Sequence, residues 1–251
     1  MWDDDPKYHK THCTFIMKFS SSVTLLFFLS LSFYSLANNS DATDLKTQKN
    51  IAYKQEFERN KKYAEDGNSV AQYNLGVMYE LGLGVTQNYK LAVYWHTKSA
   101  KQGDADSQYN LALLYEDGLG VTKDYKQAVS WYTKAANQDD ALAQLNLGLL
   151  YDHGLGVTQD ENKAANWYRK SAELGNRSAQ FNLGLIFTDE KNVDKNNNKS
   201  YFWFALSAID GKEDAVTNRD IMAKRLTPEQ LKSAQEEVIK FEQKFNTESN
   251  N

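Results

Sequence analysis

A 36-residue period runs through this chain from Asn68 to Gly211 and constrains its fold more than any other feature. Tyr79-Glu-Leu-Gly82-Leu-Gly84-Val85 returns as Tyr115-Glu-Asp-Gly118-Leu-Gly120-Val121 and again as Tyr151-Asp-His-Gly154-Leu-Gly156-Val157. Trp95, Trp131, Trp167 and Trp203 keep the same spacing. A fixed period of this length marks stacked supersecondary units, none of which can bury both of its faces alone. Such stacks usually present a surface to a partner, so the period points to a binding scaffold before an enzyme.

Within one period the residues read as a helix hairpin. Asn68 is placed to cap a helix, and Asp104, Asp140 and Asn176 recur at its position. Ala71, Leu75, Gly76 and Tyr79 then form one apolar stripe. Gly76, Ala112, Gly148 and Gly184 put a minimal side chain at one point, as a close helix crossing requires. Gly82 and Gly84 end the helix and turn the chain. A second cap follows at Asn88, Asp124, Asp160 and Asn196, and a second helix carries Ala92, Trp95, Ser99 and Ala100. Gly103, Gly175 and Gly211 close it, with Asp139 standing in once.

The pattern A-x-x-x-L-G-x-x-Y-x-x-G-x-G-V followed by D-x-x-x-A-x-x-W-Y-x-x-A-A-x-x-G resembles the Sel-one-like repeat (SLR) family, relatives of the tetratricopeptide repeats. It covers about residues 56–226; units from Asn68, Asp104 and Asp140 fit nearly throughout, and the unit from Asn176 fits in part. The resemblance implies an all-α, right-handed α-solenoid of about four repeats, used for protein–protein contacts and common among exported bacterial proteins. The fourth turn departs from it: Phe187-Thr-Asp-Glu-Lys-Asn-Val193 replaces the paired glycines with Glu190 and Asn192.

Both flanks read as caps, giving an expected layout of 1–37, 38–67, 68–211 and 212–251. A helix over Leu45 to Asp66 aligns with a second-helix half-unit, with Arg59 where the tryptophan would stand, as a solvent-facing end helix needs. Thr227-Pro228-Glu229-Gln230 is a capping box. After it, Leu231, Ala234, Val238, Phe241 and Phe245 form an amphipathic stripe, read as a lid on the last repeat or a short coiled-coil contact with another chain.

Upstream, Met17-Lys18, the apolar run Val23 to Tyr34 and Ser35-Leu36-Ala37 describe a secretory signal, expected to start at Met17 and to be cut after Ala37. The run is shorter than the roughly 20 residues a spanning helix needs, so membrane contact is expected only through this segment. A periodic, exported chain of this kind is expected in the periplasm or secreted. Cys13 is the only cysteine and precedes the expected cut, so packing alone would hold the mature chain.

Candidate chemistry is sparse. The chain carries a net charge of −4 without a lysine or arginine run, so nucleic acid is not an expected partner. The G-L-G triplets lack the lysine and spacing of a P-loop and read as turn glycines. His9, His12 and Cys13 form the one group resembling metal ligands, too few and ahead of the signal, so no metal is expected. His96 and His153 read as isolated surface or loop histidines. Some SLR relatives are assigned penicillin binding or β-lactamase activity, but no Ser-x-x-Lys, Lys-Thr-Gly or Gly-x-Ser-x-Gly occurs here. No catalytic residue and no cofactor is therefore expected, and the tryptophans read as inter-repeat core before a carbohydrate platform.

The sharper candidate is a column on the first helices: Asn74, Asn110, Asn146 and Asn182. The tetratricopeptide resemblance implies that asparagines placed so can bond a ligand's backbone along a concave face. Tyr73, Tyr109, Leu145 and Phe181, with Val77, Leu113, Leu149 and Leu185, would make that wall apolar. An asparagine ladder on an apolar stripe suits a peptide or helix of another protein. The structural alternative is that these asparagines bond a neighbouring turn and that the wall is partly core. An envelope enzyme acting on cell-wall peptide or β-lactam, and a secreted host-interaction factor, are the other functional readings.

Overall fold

The computed structural model describes residues 42–188 and 196–248. The expected signal segment, the His9, His12 and Cys13 group, and Asp189 to Val193 of the fourth turn lie outside these residues. Among the described residues the chain forms eleven α-helices and no strand. They are α1 (Ala42–Glu65), α2 (Ser69–Leu81), α3 (Tyr89–Lys101), α4 (Ala105–Asp117), α5 (Tyr125–Ala136), α6 (Ala141–His153), α7 (Glu161–Glu173), α8 (Arg177–Thr188), α9 (Asn197–Ser207), α10 (Glu213–Ala223) and α11 (Pro228–Glu248). The chain divides into two compact units, the first ending at Asp104 and the second starting at Ala105.

Most repeat helices begin where the sequence supplies an acceptor. Asn68 Oδ1 takes the Ala71 N–H at 2.8 Å, and Asp140 Oδ1 takes that of Ala143 at 2.7 Å. Asn88, Asp124, Asp160 and Asn196 cap the second helices in the same way. At the other end of α2, Gly82 lies at φ 70°, where its N–H and that of Leu83 both reach the Met78 carbonyl. Each turn is then tied off by the next cap residue, whose N–H returns to the carbonyl of the first-helix aromatic: Asn88 to Tyr79 at 2.8 Å, Asp160 to Tyr151 at 2.9 Å, Asn196 to Phe187 at 3.3 Å.

In the first unit α2 packs against both α1 and α3. Phe57, Ala64, Ala71, Leu75, Met78 and Trp95 form its buried core. Arg59 is 40% exposed and pairs with Glu56 one turn before it. Helix α1 thus behaves as half a repeat whose tryptophan position faces water.

In the second unit each helix from α4 to α10 packs on its neighbours along the chain, and α11 returns to pack on α9. The Thr227 capping box is formed in both directions: its N–H donates to Gln230 Oε1 at 3.0 Å, and its hydroxyl accepts from the Gln230 N–H at 3.3 Å. Phe241 meets the edges of Phe202 and Trp203, while Leu231 and Ala234 join Tyr201, Phe204 and Met222. Glu242 pairs with Arg177 at 3.0 Å.

Two backbone positions carry a direct test. Gly156 sits at φ +71°, and a Cβ there would lie 2.5 Å from the Tyr125 carbonyl, so turn and helix backbone are in contact. Gly156→Ala should therefore lose about 2 kcal/mol or more in urea unfolding. Asp139, at φ 60°, is the only non-glycine residue with positive φ among the described residues. Asp139→Gly should gain about 0.5–1 kcal/mol in the same measurement.

Candidate functional site

The small-residue column carries the rest of the site. A Cβ on Gly76 would stand 2.7 Å from the His96 ring, one on Gly148 2.6 Å from Tyr168, and one on Gly184 2.6 Å from Phe204. Three of the four rings thus lie on bare first-helix backbone, while Tyr132 shares its core with the methyl of Ala112. His96, Tyr132, Tyr168 and Phe204 share one repeat position, and each is fully buried or nearly so. His96, expected at the surface, is 0% exposed, because it fills the slot that tyrosine or phenylalanine fills elsewhere. His153 is exposed at the end of α6.

Every ring except the last meets a carboxylate one turn beyond the small residue. The Tyr132 hydroxyl donates to Glu116 Oε2 at 2.7 Å and that of Tyr168 to Asp152 Oδ2 at 3.3 Å. His96 Nε2 stands 3.5 Å from Glu80 Oε2. In the fourth repeat the acid position is Thr188 and the ring is Phe204, so the acid and the polar ring disappear together. Burial pushes the Glu116 carboxyl above its usual range, and the bond from Tyr132 offsets only part of that. Burial, then the charge of Glu116, holds the Tyr132 phenol well above its usual range.

The asparagine column is placed inside each unit. In the first, Asn74 is 6% exposed and its Nδ2 donates to Asn60 Oδ1 on α1 at 3.2 Å. In the second, Asn146 is 4% exposed and its Nδ2 donates to the Tyr132 hydroxyl on α5 at 3.0 Å. Asn60 and Tyr132 are equivalent positions two repeats apart, so the same bond joins a first helix to the second helix before it. The neighbour bonded is a helix, where the sequence suggested a turn. Asn110 is equally buried, and Asn182 is half-buried. Tyr109 adds a second phenol at this junction, where burial, then the charges of Asp140 and Glu116, raise its pKa.

Sequence reading missed a second polar column, Gln72, Gln108, Gln144 and Gln180. Gln72 Nε2 donates to the Ala64 carbonyl at 3.0 Å, Gln144 to Ala136 at 3.0 Å and Gln180 to Ala172 at 3.1 Å. The period itself carried the signal, since a polar residue repeats there four times beside the first-helix alanine or serine.

What remains accessible is the apolar wall, and it differs between units. Tyr73 and Val77 of the first unit are fully buried, at 3% and 0% exposure. In the second unit Leu145 is buried, Tyr109, Leu113, Leu149 and Phe181 are half-buried, and Leu185 is 43% exposed. Among the described residues no group of three metal-ligating side chains occurs, and no helix is long and apolar enough to cross a membrane.

Hairpins of capped helices, repeated in register with ring-on-backbone contacts, define an all-α solenoid repeat protein. Four copies of the Sel1 repeat match residues 69–104, 105–140, 141–176 and 177–212, and the chain belongs to that family. It is similar to a Sel1 repeat protein from Oxalobacter formigenes, at 34% identity over 70% of this chain and 72% of that one, with a TM-score of 0.62. It is also similar, at 34% identity, to a protective antigen of uropathogenic Escherichia coli that displays an SLR fold; 75% of this chain and 48% of that one are covered, with a TM-score of 0.48. An immunity protein from Pseudomonas aeruginosa is similar at 19% identity over 74% of this chain and 73% of that one, with a TM-score of 0.43. No curated protein matches the chain significantly. Sel1 repeat proteins are protein-interaction scaffolds, typically without enzymatic activity.

Glu116 gives a pH test. Its folded pKa is raised, so its contribution to stability is fully present below the unfolded value of about 4.3 and is lost as pH rises through the folded value. Glu116→Gln keeps an acceptor for Tyr132 but cannot ionise. The variant should melt about 2–4 °C above the parent at pH 7.5, with the difference closing below pH 4.

Proposed function

We propose that this protein is an exported scaffold that binds a peptide or helix of another protein along the first-helix face of its second unit. The observation that carries the reading is one repeat position, Leu113, Leu149 and Leu185, whose side chains stay partly or largely exposed on α4, α6 and α8. Tyr109 and Phe181 extend this apolar surface, and half-buried Asn182 offers it an amide. Asn110 and Asn146 lie beneath it, and Asn146 ties α6 to α5 through Tyr132. In the first unit, Tyr73, Asn74 and Val77 are interior and add no surface of this kind.

A row of accessible leucines one repeat apart suits an extended or helical ligand, because each contact is small and the ligand gains by making several. Covering what remains exposed of each leucine is worth about 1–2 kcal/mol, so losing two should be decisive. Leu149→Glu with Leu185→Glu should cut recovery of a crosslinked envelope partner about tenfold or more while the helix spectrum stays native. Unchanged recovery from a folded variant contradicts this assignment. Export rests on the Met17 to Ala37 segment. Sequencing the mature N-terminus should find Asn38 first, and an intact Met17 would remove this half of the proposal.

A further inference from the structure

The second helices of the first and fourth repeats share a feature that the middle two lack. Each carries an aromatic residue immediately before the repeat tryptophan: Tyr94–Trp95 on α3 and Phe202–Trp203 on α9. At that position the middle repeats carry Ser130 and Asn166. The two ring pairs have nearly one geometry, with centroids 4.9 Å apart in both and interplanar angles of 80° and 77°.

On α9 this pair is occupied. Phe241 of α11 sets its ring edge-on to Phe202 at 5.8 Å and to Trp203 at 6.1 Å, with Val238 packed beside it. On α3, among the described residues, no ring from another helix meets the pair; Tyr94 is 48% exposed, while Trp95 is 8% exposed and belongs to the core. Leu91, 38% exposed, widens the apolar surface at a position where the other repeats carry Gln127, Lys163 and Lys199. Charge separates the two helices as well. Where α9 has buried Leu206, α3 has Lys98, whose ammonium lies 4.9 Å from the Tyr94 ring and 5.2 Å from the Trp95 ring. With Lys90 and Lys101, also exposed, α3 carries three lysines and no acid.

We propose that the solvent-facing side of α3 is a second docking surface, for an acidic amphipathic helix of another protein that seats an aromatic side chain on Tyr94 beside Leu91. It is independent of the first-helix face of the second unit. The ring would repeat the seat of Phe241, and carboxylates beside it would pair with Lys90, Lys98 and Lys101. Cation–π contact already orients Lys98 over the rings, so a carboxylate meets a charge held in place.

The probe is a labelled synthetic peptide copying residues 228–248, which is acidic overall and carries Phe241, titrated against the full chain. The chain's own α11 competes for α9 at the high effective concentration of an intramolecular contact, which leaves α3 as the open seat. Saturable binding should weaken about tenfold in Leu91→Gln/Tyr94→Ser, which installs second-repeat residues. It should also weaken with salt and with Phe241→Ala in the peptide. Absence of saturable binding, or equal binding to the double variant with a native helix spectrum, overturns the proposal. A dimer of the chain that dissociates in the double variant assigns the surface to a second copy and overturns the foreign helix.

Discussion

A ring packed at the smallest residue of the first helix is the contact on which each hairpin depends. At Gly76, Gly148 and Gly184 even a methyl group would collide with the ring above, so the two helices approach as closely as their backbones allow. That approach decides where the ring's polar end lies. For Tyr132 and Tyr168 the hydroxyl arrives at the carboxylate of Glu116 or Asp152. The pairing holds by position as well as by distance: where the fourth repeat loses the acid, at Thr188, the ring loses its polar atom, at Phe204.

The same rings fasten one hairpin to the next within the second unit. Asn146 reaches the Tyr132 hydroxyl, and Gln144 reaches the carbonyl of Ala136 on the same helix. In the first unit Asn74 and Gln72 do this toward α1, through Asn60 and Ala64. Apolar contacts alone would let two helices slide by a turn at small cost. A buried amide left without its partner costs about 1–3 kcal/mol, so these two columns fix the register. The price of that arrangement is visible at Glu116, whose carboxyl is held in surroundings that disfavour its charge.

Much of this was legible in the sequence. Recurring caps, turn glycines, the small-residue column and the Thr227 box each announce a local geometry, and local geometry follows from few residues. Which way a polar side chain faces was not legible. In an isolated amphipathic helix a polar residue marks solvent, but a first helix within a stack is covered on several sides. Asn74 and Asn146 therefore read as groove residues and lie inside, while His96 read as a surface residue and fills a core slot. The glutamine column repeats as strictly as the asparagine column, yet composition gives no reason to prefer one as ligand-facing. The accessible leucines emerged only once exposure separated Val77 from Leu185 at one repeat position.

The account's central claim is that the ring position links neighbouring hairpins through the asparagine column. A double-mutant cycle of Tyr132→Phe and Asn146→Ala, read by urea unfolding, measures that link directly. The two changes should be coupled by about 1 kcal/mol, with Tyr132→Phe keeping the loss that comes from its bond to Glu116. Strict additivity of the two would contradict it.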